Sequence, residues 1–525
     1  MSYDLLIENG RIIDGAGNPW FRADVGVVGN RIEGIGKLHG AKTDRRIDAN
    51  GLVVTPGFID IHSHSDYSVL IDRRVESKVR QGVTTEVVGN CGSSAAPMNQ
   101  EVRAYREKYM RSDLGEGFEF KWVTMEDYLD LVDSEGASFN VVPLVGQGTI
   151  RQNIMGYDDR SPTDMELMSM RRLVAEAMED GAWGLSTGLI YTPGCYADTD
   201  EIGELVKMVA EYDGVYFSHI RGEGETLLEA VEEAIEIGRR AGVPVQIAHF
   251  KASGKSYWGK TKASLSLVER GRKQGIDVTF DQYPYVASST SLSALLPHWA
   301  HEGGAEKLLV RLRDSRERRK IAEGPGVVTR DWDSVMVVLT KSRPEYEGKM
   351  VADIAKLEGK EPLDSVFDLL LAEEAQVRVV IFGMSEDDVR RVMRSPNMMV
   401  GSDGRAVRPD GALGRGKPHP RYYGTFPRVI GHYVREGVLS LPEAVRKMTS
   451  MPAQRLGLRN RGLLRECFVA DIVVFDPDKV RDEAIFTDPH RFPSGIPYVI
   501  VNGTIVIDES EHIGTLPGRA LRKDK

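Results

Sequence analysis

Pro56-Gly57-Phe58-Ile59-Asp60-Ile61-His62-Ser63-His64-Ser65-Asp66 follows the apolar run Leu52-Val53-Val54 and opens on a Pro-Gly turn. Phe58-Ile59-Asp60-Ile61 reads as a short buried strand. Positions i and i+2 of a strand face the same side, so the imidazoles of His62 and His64 point into one space. That spacing suits a single metal ion, for which neutral imidazole is a common ligand. Two polar residues closing a strand would explain an isolated His-x-His equally well. The weight therefore falls on how the other strands end.

Working outward, residues from about 56 to 410 repeat strand, loop and helix. The strand runs end at Asp60-Ile61, Val88-Gly89-Asn90-Cys91, Val145-Gly146, Thr187-Gly188, Ser218-His219, Ala248-His249, Gln282-Tyr283 and Ser402-Asp403. Helical patterns separate many of them, over 165–180, 200–212, 226–241, 267–274 and 386–394. Alternation on this scale indicates a parallel sheet, and eight strands are what a closed (β/α)8 TIM-like barrel requires. Val377-Arg378-Val379-Val380-Ile381-Phe382 makes a ninth candidate strand. It is treated as part of an irregular insertion, since the stretch from about 295 to 375 just before it breaks the rhythm and includes a charged helix, 305–322. Helical segments over 441–456 close the barrel domain, taken as 56–459.

The ends have another texture. Short alternating runs separated by Asn-Gly and Gly-Asn pairs fill 1–55 and return in 460–525, as in Ala470-Asp471-Ile472-Val473-Val474-Phe475. They read as antiparallel β-units: one small β-sandwich assembled from both chain ends, or two independent β-tails.

Composition narrows the function. The chain has 525 residues, 41% hydrophobic and 28% charged, as expected of a soluble globular protein with an ample core. A net charge of −10 argues against a nucleic acid partner, which needs a basic face. No apolar core of a signal peptide opens the chain and no apolar stretch is long enough for a membrane span, so the expected location is cytoplasmic. Three cysteines, Cys91, Cys195 and Cys467, build no disulfide framework.

Active sites of such barrels lie at the carboxyl ends of the strands. Those ends carry His62, His64, Cys91, His219, His249 and Asp403. Each alone has an ordinary explanation: a hydrogen-bonded histidine, a small buried cysteine, a turn aspartate. Six at equivalent positions favour a metal site, and imidazole, thiolate and carboxylate are donors that zinc accepts. A metal lowers the pKa of bound water and polarises a carbonyl, while Asp403 can take a proton from water and return it to a departing amine. Zinc has no redox chemistry, so hydrolysis is the economical reading. Lys251, two residues beyond His249, is either a surface lysine or an anchor for a substrate carboxylate, which Tyr283 with Ser288 or Ser289 could complete. Arg421 is a further candidate in His419-Pro420-Arg421.

With these residues in hand the chain resembles the amidohydrolase superfamily, and within it the D-aminoacylase (N-acyl-D-amino-acid deacylase) branch. The resemblance rests on the opening stretch together with Gly89-Asn90-Cys91-Gly92, Gly188-Leu189-Ile190-Tyr191, Ser218-His219-Ile220-Arg221, Ala248-His249-Phe250-Lys251, Asp281-Gln282-Tyr283-Pro284-Tyr285 and Gly401-Ser402-Asp403-Gly404. It implies Zn2+ on Cys91, His219 and His249, and a second, weaker or partly filled position near His62 and His64 with Asp403 close by. It implies a small-molecule N-acyl amino acid as substrate, with Tyr191 among the residues around it. Homo-oligomer formation stays open. Two departures stand out. Trp183-Gly184-Leu185-Ser186-Thr187-Gly188 lacks the metal-bridging lysine of many amidohydrolases, so the bridging place falls to Cys91; and Gln147 stands where histidine is expected. A cyclic-amide hydrolase of the hydantoinase or dihydropyrimidinase kind is the alternative, and a non-catalytic scaffold a third reading.

Overall fold

The computed structural model describes residues 2–110, 114–115 and 118–524. Its eight barrel strands are β1 (Phe58–Asp60), β2 (Val83–Val88), β3 (Asn140–Pro143, continued by Val145–Gly146), β4 (Gly184–Gly188), β5 (Val215–His219), β6 (Val245–Ile247), β7 (Val278–Gln282) and β8 (Met398–Val400). All neighbouring pairs run parallel and in chain order, β1-β2-β3 forming one arc and the rest, from Val145–Gly146 to β8, the other. The arcs meet within β3 at Leu144, whose N–H still reaches Val88 O at 2.9 Å. Between β8 and β1 no strand ladder forms, only a single bridge between Ser63 and Gly404. Strands covered on both faces are buried along their length and rich in apolar residues, and charged ones among them, such as Glu86 and Asp281, are paired. Ile59, Val87, Val142, Leu144, Val215, Phe217 and Met399 share one buried cluster.

The helices fall close to their expected positions because local chemistry starts and stops them. Thr163 and Glu166 form a reciprocal capping box at the start of Asp164–Glu179. The charged helix of the insertion is in fact two, Gly304–Arg313 and Ser315–Ala322, because Asp314 between them is extended and caps the second.

The ninth candidate strand is accounted for. Arg378–Ile381 pairs antiparallel with both Ser288–Ser291 and Val335–Leu339, so its backbone groups are satisfied outside the barrel. The insertion thus runs from Ser288 to Ile381, wider than 295–375, because its outer strands belong to its own sheet. Leu292, Leu308, Ile354, Phe367 and Val379 form its separate core.

Both chain ends contribute to one nine-stranded sheet. Val53–Pro56 lies at the junction, parallel to Ser2–Ile12 and antiparallel to Ile472–Phe475. This strand continues through Gly57 directly into β1, so the terminal sheet sets where His62 and His64 emerge. Among the described residues no helix is long and apolar enough to cross a membrane.

Candidate metal centre and active site

The six strand-end donors converge at one end of the barrel. Donor atoms of His62, His64, Cys91 and Asp403 lie within 4.8 Å of one another, and so do those of Cys91, His219 and His249. Cys91 belongs to both groups. Its Sγ is 3.3 Å from His62 Nε2 and 3.5 Å from His249 Nε2, which is itself 2.8 Å from His219 Nδ1. Asp403 Oδ1 is 3.0 Å from His64 Nε2 and 3.7 Å from His62 Nε2.

Backbone strain marks the same residues. Cys91, His249 and Asp403 have φ of 53°, 34° and 47°, a region costly for side chains other than glycine. Each sits two or three residues beyond the end of its strand, where the turn swings the side chain inward. The Cys91 turn packs against β4: a Cβ at Gly188 would lie 2.0 Å from Cys91 O. Ser186 on β4 accepts the Gly92 N–H at 3.0 Å and donates to Gly89 O. The strand without the bridging lysine instead uses a serine to hold the loop that carries Cys91.

Two carboxylates orient the imidazoles. Asp281, at the end of β7, lies 3.0 Å from His62 Nδ1 and accepts the His249 backbone N–H at 2.7 Å. Glu223 lies 3.0 Å from His249 Nδ1. In each case the carboxylate is placed to accept an Nδ1–H bond, the arrangement that turns Nε2 of a metal-binding histidine toward the ion; Lys251 Nζ also lies 2.8 Å from His249 Nδ1. Sequence reasoning quoted Asp281 without assigning it, although its place at a strand end was the available signal. Glu223 lies in a loop with no local signal.

Electrostatics fit a cation. Burial opposes ionisation of Cys91, but His62, His219 and His249 outweigh it and hold the thiol well below its usual range. Burial likewise opposes ionisation of Asp403, and Arg421 followed by His249 and His64 pulls it well below the carboxylate range. Burial lowers the His219 imidazole, and neighbouring His249 lowers it further. A buried thiolate, a carboxylate and clustered imidazole nitrogens form a donor set that a borderline-soft divalent ion satisfies. The residues present fit zinc: a Cys91-His219-His249 position, and a second position of His62, His64 and Asp403 sharing Cys91.

A cavity of about 370 Å³ opens over this centre, with His64, Cys91, Tyr191, Ser289, Arg378, Asp403 and Arg421 in its wall. Tyr191 hydroxyl bonds Thr290 Oγ1 at 3.1 Å, and its ring stands 5.1 Å from that of His219. Arg421 Nη1 is 2.8 Å from Asp403 Oδ2, with its guanidinium 4.7 Å over the Tyr283 ring. A further cavity of about 250 Å³ between the barrel and the insertion shares Tyr105, Tyr157 and Arg378 with the first.

Lys251 is placed differently from the expected carboxylate anchor. It lies behind His249 and outside the cavity wall, its ammonium donating to Glu223 and to His249 O at 2.9 Å. The strand stops at Ile247 and His249 has a left-handed backbone, so strand alternation does not extend to Lys251, and Glu223 occupies its ammonium. Ser288 is likewise off the wall, whereas Ser289, Thr290 and Ser291 after it line the cavity. Tyr283 is buried and its hydroxyl meets Met384 Sδ at 3.7 Å. Arg378, on the wall, was missed because it sits in the strand that broke the barrel count. Arg221 turns away from the centre to Glu233. Gln147 is fully buried, with its side chain beside Glu201.

Comparison with known proteins follows the same lines. The model of the Amidohydrolase family matches residues 45–507. A D-aminoacylase of Alcaligenes xylosoxydans xylosoxydans is 39% identical over 523 residues, 99% of this chain and 98% of the relative. The crystal structure of an N-acyl-D-glutamate deacylase of Bordetella bronchiseptica, complexed with zinc and a phosphonate mimic of the tetrahedral intermediate, superposes with a TM-score of 0.85 at 35% identity, covering 99% of this chain and all of that one (100%). A D-aminoacylase structure described as having a binuclear metal centre, with one-metal activation and second-metal attenuation, gives 0.84 at 36% identity over 99% of this chain and 100% of that one.

Proposed function

This chain belongs to the amidohydrolase family, and from that premise we propose that it is a zinc-dependent hydrolase of N-acyl-D-amino acids, releasing a carboxylate and the free D-amino acid. The observation that carries the reading is the meeting of two donor groups at Cys91 beneath a cavity into which Asp403 projects. The D preference follows the relatives, a D-aminoacylase and an N-acyl-D-glutamate deacylase.

We assign the tight zinc to Cys91, His219 and His249, and the weaker position to His62, His64 and Asp403. When bound, zinc lowers the pKa of a water and polarises the scissile carbonyl. The chain's own residues supply the rest. Asp403 is held ionised by Arg421, so it starts as the base that accepts a proton from the attacking water. It then gives that proton to the amide nitrogen as the C–N bond breaks, which lets the amine leave neutral. Asp281 and Glu223 hold His62 and His249 by Nδ1 through the cycle.

The substrate carboxylate meets Arg378 and Arg421, which stand with Ser289 in the cavity wall; Tyr191 lines the same cavity beside Thr290. Tyr283 stacks under Arg421 and fixes its plane. Lys251 reaches the substrate only by giving up Glu223, so we assign it to holding His249. A reducing cytoplasmic compartment fits three free cysteines. Metal analysis of the purified protein, coupled to turnover of paired N-acyl-D- and N-acyl-L-amino acids, tests the proposal. Zinc with a strong D preference supports it; equal or better turnover of the L series overturns it.

A further inference from the structure

Beneath the metal centre, a fully buried lysine has no part in the reaction just described. Lys78, on the short helix Glu76–Val79, has no exposed side-chain surface. Its ammonium donates to Asp60 Oδ2 at 2.9 Å, Ser402 Oγ at 2.7 Å and Gly404 O at 3.1 Å, and lies 2.9 Å from Glu86 Oε1. Burying an ammonium is costly unless it is paired and fully hydrogen-bonded, and here its donors go to Asp60, Ser402 and Gly404 with Glu86 as a second counter-charge.

The position of this cluster gives it meaning. It spans the seam between β8 and β1, the place where the barrel has only the single Ser63–Gly404 bridge. Asp60 ends β1, Glu86 belongs to β2, and Ser402 with Gly404 follows β8. Ser402 and Gly404 flank Asp403. Ser402 N–H donates to Asp60 Oδ1 at 2.8 Å, Ser402 Oγ donates to Asp60 Oδ2, and Gly404 N–H donates back to Ser402 Oγ at 3.1 Å. On the other side, Ser63 Oγ, between the two histidines that follow β1, donates to Glu86 Oε2 at 2.6 Å. Both chain neighbours of Asp403 are therefore tied to one ammonium, while Asp403 itself keeps a left-handed backbone of φ 47°.

We propose that Lys78 is a positioning residue for Asp403: it closes the barrel at the β8–β1 seam and sets the carboxylate at the distance from the scissile nitrogen that proton delivery needs. The inference rests on the role of Asp403 given above. Lys78 touches neither the metal donors nor the cavity wall, so its effect passes through the backbone of residues 402–404.

The test separates proton delivery from general damage. Lys78→Met and Ser402→Ala are compared with wild type and Asp403→Asn on an N-acyl-D-amino acid and on its thioester analogue, in which sulfur replaces the amide nitrogen. A thiolate leaves without a proton, so only the amide depends on a well-placed acid. Misplacement of a reacting group by about 1 Å costs about 10²-fold. Lys78→Met is expected to lose about that factor in kcat on the amide, to lose several-fold less on the thioester, which uses Asp403 only as the base for water, and to keep its zinc. Ser402→Ala, which leaves all charges in place and so guards against a Lys78 variant that does not fold, is expected to show the same imbalance at about tenfold. Equal losses on the two substrates, or no loss from Ser402→Ala, overturn the role of Lys78. If Asp403→Asn also shows no preference for losing the amide, the failure lies in the assignment of Asp403 instead.

Discussion

Replacing Lys251 with methionine discriminates between a lysine that reads the substrate and one that holds the metal site together. The pair it forms with Glu223 is largely buried, the side chains being 4% and 16% exposed. Removing one partner of a buried pair strands the other charge and costs about 3–5 kcal/mol. Burial would otherwise raise the Glu223 carboxyl, but Lys251 and then His249 outweigh it and hold it well below the ordinary range. Because Glu223 keeps some solvent contact, the lower end, about 3 kcal/mol, is expected. Lys251→Met should therefore lower the urea midpoint, loosen zinc through His249, and reduce kcat/KM by a similar factor on an N-acyl-D-amino acid and on its neutral carboxamide. Adding Glu223→Gln removes the stranded charge, and the double variant should recover about 2 kcal/mol or more of the lost stability. A direct contact with the substrate carboxylate predicts a different pattern: about 10- to 150-fold lost on the carboxylate substrate alone, from a charge-assisted bond of about 1.5–3 kcal/mol. Unchanged stability with a loss confined to the carboxylate substrate would refute the assignment and return Lys251 to the cavity.

Three further outcomes are expected. Cys91→Ala, which deletes the donor common to both metal positions, should lose zinc and activity together, while Cys195→Ala keeps both; metal analysis decides, and unchanged zinc in Cys91→Ala would remove the ligand assignment. Asp403→Asn should retain zinc through Cys91, His219 and His249 and lose about 10²- to 10⁴-fold in kcat, and near-normal turnover would end its role as proton carrier. His301 in the insertion is held at about 4 by burial, donating Nε2–H to Ser293 O at 2.9 Å. Between pH 6.5 and 4 the unfolded chain takes up a proton there that the folded chain does not, so stability present above pH 6.5 is lost as pH falls, by about 3 kcal/mol. His301→Gln should flatten that part of the stability profile in urea titrations at pH 7 and pH 4.5, and an unaltered profile would contradict the linkage.

Much of the architecture is local enough to be written in the chain. Runs such as Val83–Val88 and Val215–His219 are buried along their whole length because both their faces are covered, and amphipathic helices with caps such as Thr163 separate several of the strands. The strand-end donors were legible for the same reason: in parallel barrels the carboxyl ends face one opening, so sequence position translates into spatial position. What no periodicity records is which long-range partner a polar group finds. That Arg378–Ile381 belongs to the insertion was settled by hydrogen bonds to Ser288–Ser291 and Val335–Leu339. That the Lys251 ammonium is taken by Glu223, 28 positions away, and that Lys78 joins Asp60 to Ser402, 342 positions apart, follow from the closing of the barrel. A strand's period is set by its own backbone geometry, whereas the partner of a buried charge is set by whatever the folded chain brings within about 3 Å.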